Sequence, residues 1–252
     1  MLPQIQAHWL QKSGNAPTEY EDAFSCPKHL SDDWEAFRIA IADGATETSF
    51  AREWANLLAR SFGRYGLSDD PHDLSLVWPR KLWKRLVARR PLPWYAEEKA
   101  AMGAYSSLLG ITVFKSEGSG YWKAIAVGDS CVFQVRGDVL VEAFPFVSSD
   151  AFNSRPELLG SVGDDGLAGC SVLTRTGSWQ PGDVFYLMTD ALACWFLKRR
   201  ELLDDPLRCL RRLQGQEGFQ EFIAEQRQIS SNEDCCRLKN DDVTLVSCEM
   251  AD

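Results

Sequence analysis

An α+β fold in a single domain is what this sequence predicts, and three observations predict it. Apolar, strand-like runs and amphipathic, helix-like runs come in separate blocks along the chain. The strand-like runs end at turn residues, several of them aspartates. At 252 residues and 45% hydrophobic, the chain can bury one large core without dividing.

In chain order, residues 38–42 form an apolar strand run ending at Asp43. Residues 47–62 then read as an amphipathic helix with Phe50, Trp54, Leu57, Leu58 and Phe62 on one face, Thr46 or Thr48 as its cap and Glu47 in its first turn. A second helix spans 74–90, with Pro79 as a kink or early boundary, and a third runs from 94 to about 105. Strand runs at 108–115, 121–127, 131–136 and 139–142 predict a meander, turning at Glu117-Gly118-Ser119-Gly120 and Arg136-Gly137-Asp138. Further strands are expected at 172–175, 184–188 and 243–248, and further helices at 191–199, 206–213 and 219–228. Residues 144–169 are rich in Ser, Asp, Gly and Pro and low in periodicity, the character of a long loop that is functional or merely surface.

Composition narrows the function. A net charge of −9 argues against nucleic acid or an anionic membrane as partner. The local basic run Lys81, Lys84, Arg85, Arg89 and Arg90 has the spacing of one solvated helix face, with docking of an acidic or phosphorylated partner as the alternative. There is no apolar stretch of membrane-spanning length and no signal-peptide pattern in Met1-Leu2-Pro3-Gln4-Ile5-Gln6, so a cytoplasmic protein is expected. The 8 cysteines are scattered, and Cys131, Cys194 and Cys248 sit in apolar surroundings, as reduced thiols do. Cys26 and His29 have a zinc-like spacing that Cys235-Cys236 could complete, but no second regular pair supports it. With 3 histidines and no nucleophile elbow beyond Gly118-Ser119-Gly120 in a turn, a serine hydrolase is poorly supported.

The chemistry points elsewhere. Five acidic stretches span the chain: Glu21-Asp22, Asp43-Gly44, Gly128-Asp129-Ser130, Thr189-Asp190 and Asp241-Asp242-Val243-Thr244. Four of them sit at the ends or starts of strand runs, which fixes their positions, although aspartates there also serve as turn formers and caps. Carboxylates converging from strand ends suit a hard divalent cation such as Mg²⁺ or Mn²⁺, which takes oxygen ligands and retains water.

The stretches Tyr20-Glu21-Asp22-Ala23, Ile41-Ala42-Asp43-Gly44, Val127-Gly128-Asp129-Ser130, Met188-Thr189-Asp190-Ala191 and Asn240-Asp241-Asp242-Val243-Thr244 occur in the order found in one family. In that order the chain resembles the PPM-type metal-dependent Ser/Thr protein phosphatases, the protein phosphatase 2C family, over nearly its whole length. It looks most like a bacterial stand-alone member. The resemblance implies a four-layer α-β-β-α sandwich, two antiparallel sheets flanked by helices, with 144–169 as the flap beside the active site. It implies a phosphoprotein phosphatase in which water activated by two metal ions, Mg²⁺ or Mn²⁺, hydrolyses phosphoserine or phosphothreonine left by a Ser/Thr kinase. Asp43 would bridge the two ions, the Gly44 carbonyl and Glu21 would help hold one, and Asp190 with Asp241 the other. Asp129 would join Asp190 at a third, weaker position, and Asp22 would act behind the ligands or through water. In catalysis Asp43, Asp190 and Asp241 would be indispensable.

Three positions depart from the family pattern. Pro17 stands where the family often has a phosphate-binding Arg, Ala45-Thr46-Glu47 replaces a glycine-containing turn, and Ala191 replaces a glycine. Lys12 and Arg155 are candidate replacements for the Arg, and Ser148-Ser149-Asp150 and Asn153-Ser154-Arg155 are candidate phosphopeptide contacts. Two alternative functions are a catalytically silent binding or regulatory module of the same fold and a hydrolase of small phosphate esters.

Overall fold

Alternation of large and small apolar residues along the strands decides how the layers stack. A computed structural model describes residues 2–66, 76–91, 94–116, 119–152, 155–163, 170–229 and 237–251. Its first half contains β1 (Gln4–Leu10), β2 (Ala23–Ser25), β3 (Ala36–Ala42), α1 (Ala51–Tyr65), α2 (Val77–Ala88) and α3 (Trp94–Ala101). There follow β4 (Tyr105–Ser106), β5 (Leu108–Ser116), β6 (Ser119–Val127), β7 (Cys131–Arg136), β8 (Val139–Phe144) and β9 (Leu159–Gly160). The last part contains β10 (Leu173–Trp179), β11 (Asp183–Met188), α4 (Asp190–Glu201), α5 (Pro206–Arg211), α6 (Gly215–Gln228) and β12 (Val243–Glu249).

Two five-stranded antiparallel sheets result, ordered β1-β12-β11-β7-β8 and β10-β6-β5-β3-β2, with β4 and β9 forming a separate pair. Phe37, Ile39 and Ile41 of β3, Ile111 and Val113 of β5, and Trp122, Ala124 and Ala126 of β6 face Phe185, Leu187, Val246 and Cys248 of the other sheet in one buried cluster. The intervening residues point outward. Ala40, Ala42 and Ile125 meet Trp54, Leu58 and Phe62 of α1, while Phe133, Tyr186 and Met188 meet Leu192, Phe196, Phe219 and Ile223 of α4 and α6. The architecture is therefore the four-layer α-β-β-α sandwich expected.

Small residues on β3 let α1 approach closely. Gly110 on β5 is the extreme case, since a Cβ there would stand 2.4 Å from the Phe62 ring. On α2 the residues Lys81, Lys84, Arg85 and, just beyond it, Arg89 and Arg90 are exposed while Trp83 is buried, the solvated face the spacing predicts. Cys131 and Cys248 are buried free thiols and Cys194 is half-buried; Cys235 and Cys236 lie outside the described residues.

Between the sheets runs one polar network. Asp183, fully buried, accepts from Gln134 Nε2 (2.7 Å), Arg136 Nε (2.7 Å) and the Gln180 N–H (3.0 Å), and Gln134 accepts from Trp122 Nε1 (2.9 Å). Asp183→Ala would leave the Gln180 N–H and the Arg136 guanidinium without this acceptor and is expected to destabilise the chain by about 1–3 kcal/mol, read as a shift of the urea midpoint.

Three expectations need correction. The first sequence-predicted helix begins at Ala51 rather than 47, with Phe50 left-handed at its N-cap (φ 65°) and no side-chain cap. Thr48 instead ties the preceding loop, its hydroxyl donating to the Ala45 carbonyl (2.9 Å) and accepting from the Tyr105 N–H (3.3 Å). The meander is two hairpins in different sheets, because Gly128 (φ 101°) turns the chain out of β6 and across to β7. Finally, β1, unanticipated in its polar alternation, pairs with β12 throughout its length.

Candidate active site at the strand ends

The crossing at 128–130 lies at the same end of the sandwich as the end of β3 and the start of α4. There Asp43, Gly44, Asp129, Asp190 and Asp241 line one cavity of about 540 Å³, together with Arg155 and Lys239. Ser107 ties two of the loops: its hydroxyl accepts from the Asp43 N–H (3.1 Å) and pairs with the Ser130 hydroxyl (3.1 Å), while its N–H donates to the Asp43 carbonyl (2.8 Å). At Gly44 the chain passes so close to its neighbours that a Cβ would stand 2.8 Å from the Glu21 carbonyl and 3.0 Å from the Ala51 backbone. Backbone cannot swing aside, so Gly44→Ala is expected to lower stability by about 1–3 kcal/mol, measurable by calorimetry.

Asp22 lies buried beneath the cavity. Its Oδ2 accepts from the hydroxyls of Thr189 (3.0 Å) and Thr244 (2.7 Å), and the Tyr20 hydroxyl donates in turn to Thr244. Its Oδ1 is buried with no hydrogen-bond partner. Glu21, half-buried, lines an adjoining cavity of about 350 Å³ that shares Thr46 with the first. Asp190 opens α4, where the free N–H groups of the first turn favour a negative charge.

So many acids in one place raise each other's proton affinity. Burial, then repulsion from Asp22, Asp190, Asp129 and Asp241, holds the Asp43 carboxyl well above the ordinary carboxylate range. Burial and the Asp190 charge push Asp129 up to about 7. Burial raises Asp22 well above its ordinary value, against the hydrogen bond from Thr244, and burial likewise raises Asp190 and Glu21. Lys239 pairs with two of them, its Nζ 2.6 Å from Asp241 Oδ2 and 3.5 Å from Asp190 Oδ2. Burial works against its charge, but Asp241 and Asp190 outweigh this and raise its pKa.

The oxygen-only donor set fits a hard divalent ion, and Asp22 Oδ1 beneath it is buried without a hydrogen-bond partner. Among the described residues, no three His, Cys, Asp or Glu side chains stand close enough together as placed to hold a metal ion.

Of the seven residues singled out in the sequence, five line the main cavity, Asp22 lies below it and Glu21 beside it. Arg155 lines the cavity, whereas Lys12 borders a separate pocket and uses its N–H on Asp242 (2.7 Å). Ser148 and Ser149 are bound to Glu201 at the end of α4, and Asn153 and Ser154 lie outside the described residues. Sequence reasoning missed Asp242, whose carboxylate also accepts from the Glu21 N–H (2.6 Å) and so pins both the β1 exit and the Glu21-Asp22 segment. Its signal was there, in the paired Asp241-Asp242. It missed Lys239 as well, two residues before Asp241.

No protein-family model and no curated protein sequence matches the chain. Solved structures do match along their whole length. The Mycobacterium tuberculosis serine/threonine phosphatase PstP/Ppp is 15% identical, with 100% of both chains covered and a TM-score of 0.53. The PstP catalytic domain in complex with two manganese ions is 14% identical, covering 100% of this chain and 99% of that one at a TM-score of 0.53. The photosystem II phosphatase PBCP is 15% identical, with 98% of each chain covered and a TM-score of 0.54. At such identities the likeness speaks for architecture, and with the two sheets, their order and the acidic strand ends it leads to one statement: this chain has the fold of the PPM-type Ser/Thr protein phosphatases.

Proposed function

We propose that the chain is a metal-dependent phosphoprotein phosphatase acting on phosphoserine or phosphothreonine. The observation that carries this reading is the convergence of Asp43, Asp129, Asp190 and Asp241 on one open cavity, where burial and mutual repulsion raise the proton affinity of Asp43 and Asp129, so that a bound divalent cation would favour their ionised forms. Asp43 with the Gly44 carbonyl and Glu21 would hold one divalent ion and Asp190 with Asp241 a second, Asp129 serving a third position with Asp190. Such ions, Mg²⁺ or Mn²⁺, would neutralise charge on the phosphoryl oxygens and make a water more acidic.

The chain's own residues have distinct tasks. Asp22, held through its Oδ2 by Thr189 and Thr244, backs the ligands from below, and Asp242 holds Glu21 in register by accepting from the Glu21 N–H. Arg155 borders the cavity with Pro156 and Leu158 and is the side chain that would meet an entering phosphoryl group in place of the Arg absent at Pro17. No helix among the described residues is long and apolar enough to cross a membrane.

The test is hydrolysis of a phosphothreonine peptide with Mn²⁺, with EDTA, and by Asp43→Asn. Turnover that needs both metal and Asp43 supports the reading. Folded protein inert toward several peptides sinks it in favour of a silent binding module, and turnover of small phosphate esters alone redirects it to that class.

A further inference from the structure

Lys239 has an anchored backbone and a side chain exposed along most of its length. On one side Leu238 is buried and its N–H donates to the Gln226 carbonyl (3.1 Å). On the other, the Asn240 side chain exchanges hydrogen bonds with the Ser13 backbone (2.8 and 3.2 Å), Arg227 donates to the Asp241 carbonyl, and Asp242 is pinned to Lys12 and Glu21. The main chain of 238–242 is thus fixed. The Lys239 side chain is nevertheless 67% exposed, and its ammonium reaches back into the acidic cavity to meet Asp241 Oδ2 at 2.6 Å and Asp190 Oδ2 at 3.5 Å.

These are the two carboxylates assigned above to one divalent ion. An ammonium on a flexible four-carbon stem is a compact point charge that can leave by side-chain rotation alone. A cation entering between Asp190 and Asp241 has to take oxygens that Lys239 already engages, and two like charges cannot share them at contact distance.

We propose that Lys239 is a resident counter-cation of the Asp190–Asp241 half of the site, which a divalent ion must displace, so that metal occupancy there is set by a competition built into the chain. This rests on the metal-dependent reading above. Lys239 acts as a positioning residue: its ion pairs hold the two carboxylates together when no metal binds and weaken binding when one does. Turnover in the cell would then respond to divalent-ion concentration over a range that Lys239 shifts upward.

The experiment is Mn²⁺ binding by titration calorimetry on the full chain, comparing wild type, Lys239→Gln, Lys239→Arg and Lys81→Gln. Lys239→Gln is expected to tighten at least one Mn²⁺ by about tenfold and to lower the melting temperature in EDTA. Lys239→Arg keeps the charge and should keep wild-type affinity, and Lys81→Gln, an equal charge change on the exposed face of α2, should alter neither quantity. Equal or weaker binding by Lys239→Gln, or the same gain in Lys81→Gln, overturns the proposal. An independent readout on the wild type is acylation of Lys239 by an amine reagent, followed by mass spectrometry; Mn²⁺ should accelerate it several-fold, and no change or protection counts against displacement. Tighter binding by Lys239→Gln without any turnover would uphold this proposal and defeat the phosphatase reading, whereas unchanged affinity in an active enzyme would do the reverse. No Mn²⁺ binding by either protein overturns both.

Discussion

Asp43→Asn is expected to cut Mn²⁺-dependent phosphopeptide hydrolysis on the order of 10³-fold or more while raising, not lowering, the melting temperature of the chain in EDTA. Most substitutions of half-buried polar residues destabilise, so the opposite sign is diagnostic. It follows from the surroundings of Asp43. Its neighbours Asp22, Asp190, Asp129 and Asp241 all push its proton affinity up, which means the folded chain holds the ionised carboxylate at a cost. An amide has the same shape and removes that repulsion. Its backbone anchors, the Ser107 hydroxyl and N–H, do not involve the side chain and survive. The check is a pair of measurements on one sample, turnover with Mn²⁺ and thermal unfolding with EDTA. Loss of both activity and stability would mean that Asp43 is structural.

The second large effect is a dependence of stability on pH that Mn²⁺ abolishes. An acid whose pKa is raised by folding binds more protons in the folded chain than in the unfolded one between the two values, so stability falls as pH rises through that window. For Asp129 the window runs from 3.8 to about 7, a difference of about 4 kcal/mol if it acted alone. Asp22, Asp43, Asp190 and Glu21 shift in the same direction and add to the slope. Asp183, whose burial is outweighed by Arg136, Gln180 and Gln134 and whose pKa is lowered, contributes stability lost only as pH falls below its ordinary 3.8, outside this window. In EDTA the urea midpoint should therefore decline as pH rises from about 4 through about 7. With saturating Mn²⁺ the carboxylates stay ionised at no cost and the decline should flatten or reverse. A flat profile in EDTA would show that the acids do not interact as their positions require.

How far the sequence reached depends on the range of the interaction involved. Strand and helix blocks were legible because periodicity is local: 131–136 coincides with β7, and 184–188 falls one residue short of β11. The start of α1 was not, because Thr48 serves Tyr105, a partner 57 positions away, instead of capping the helix. Likewise β1 became a strand only by pairing with β12 at the far end of the chain.

The candidate site divides in the same way. By itself the sequence determined which carboxylates stand at strand ends, since a run of apolar residues ending in Asp-Gly or Thr-Asp is written in consecutive positions, and their order carried the resemblance to a family. Only the tertiary structure decided that these ends meet at one cavity, that Asp22 lies beneath it and Glu21 beside it, and that Asp242 and Lys239 belong with them. The physical reason is that burial, repulsion and ion pairing depend on distance through space, and residues as far apart as Asp22 and Thr244 acquire a distance only when the two sheets pack.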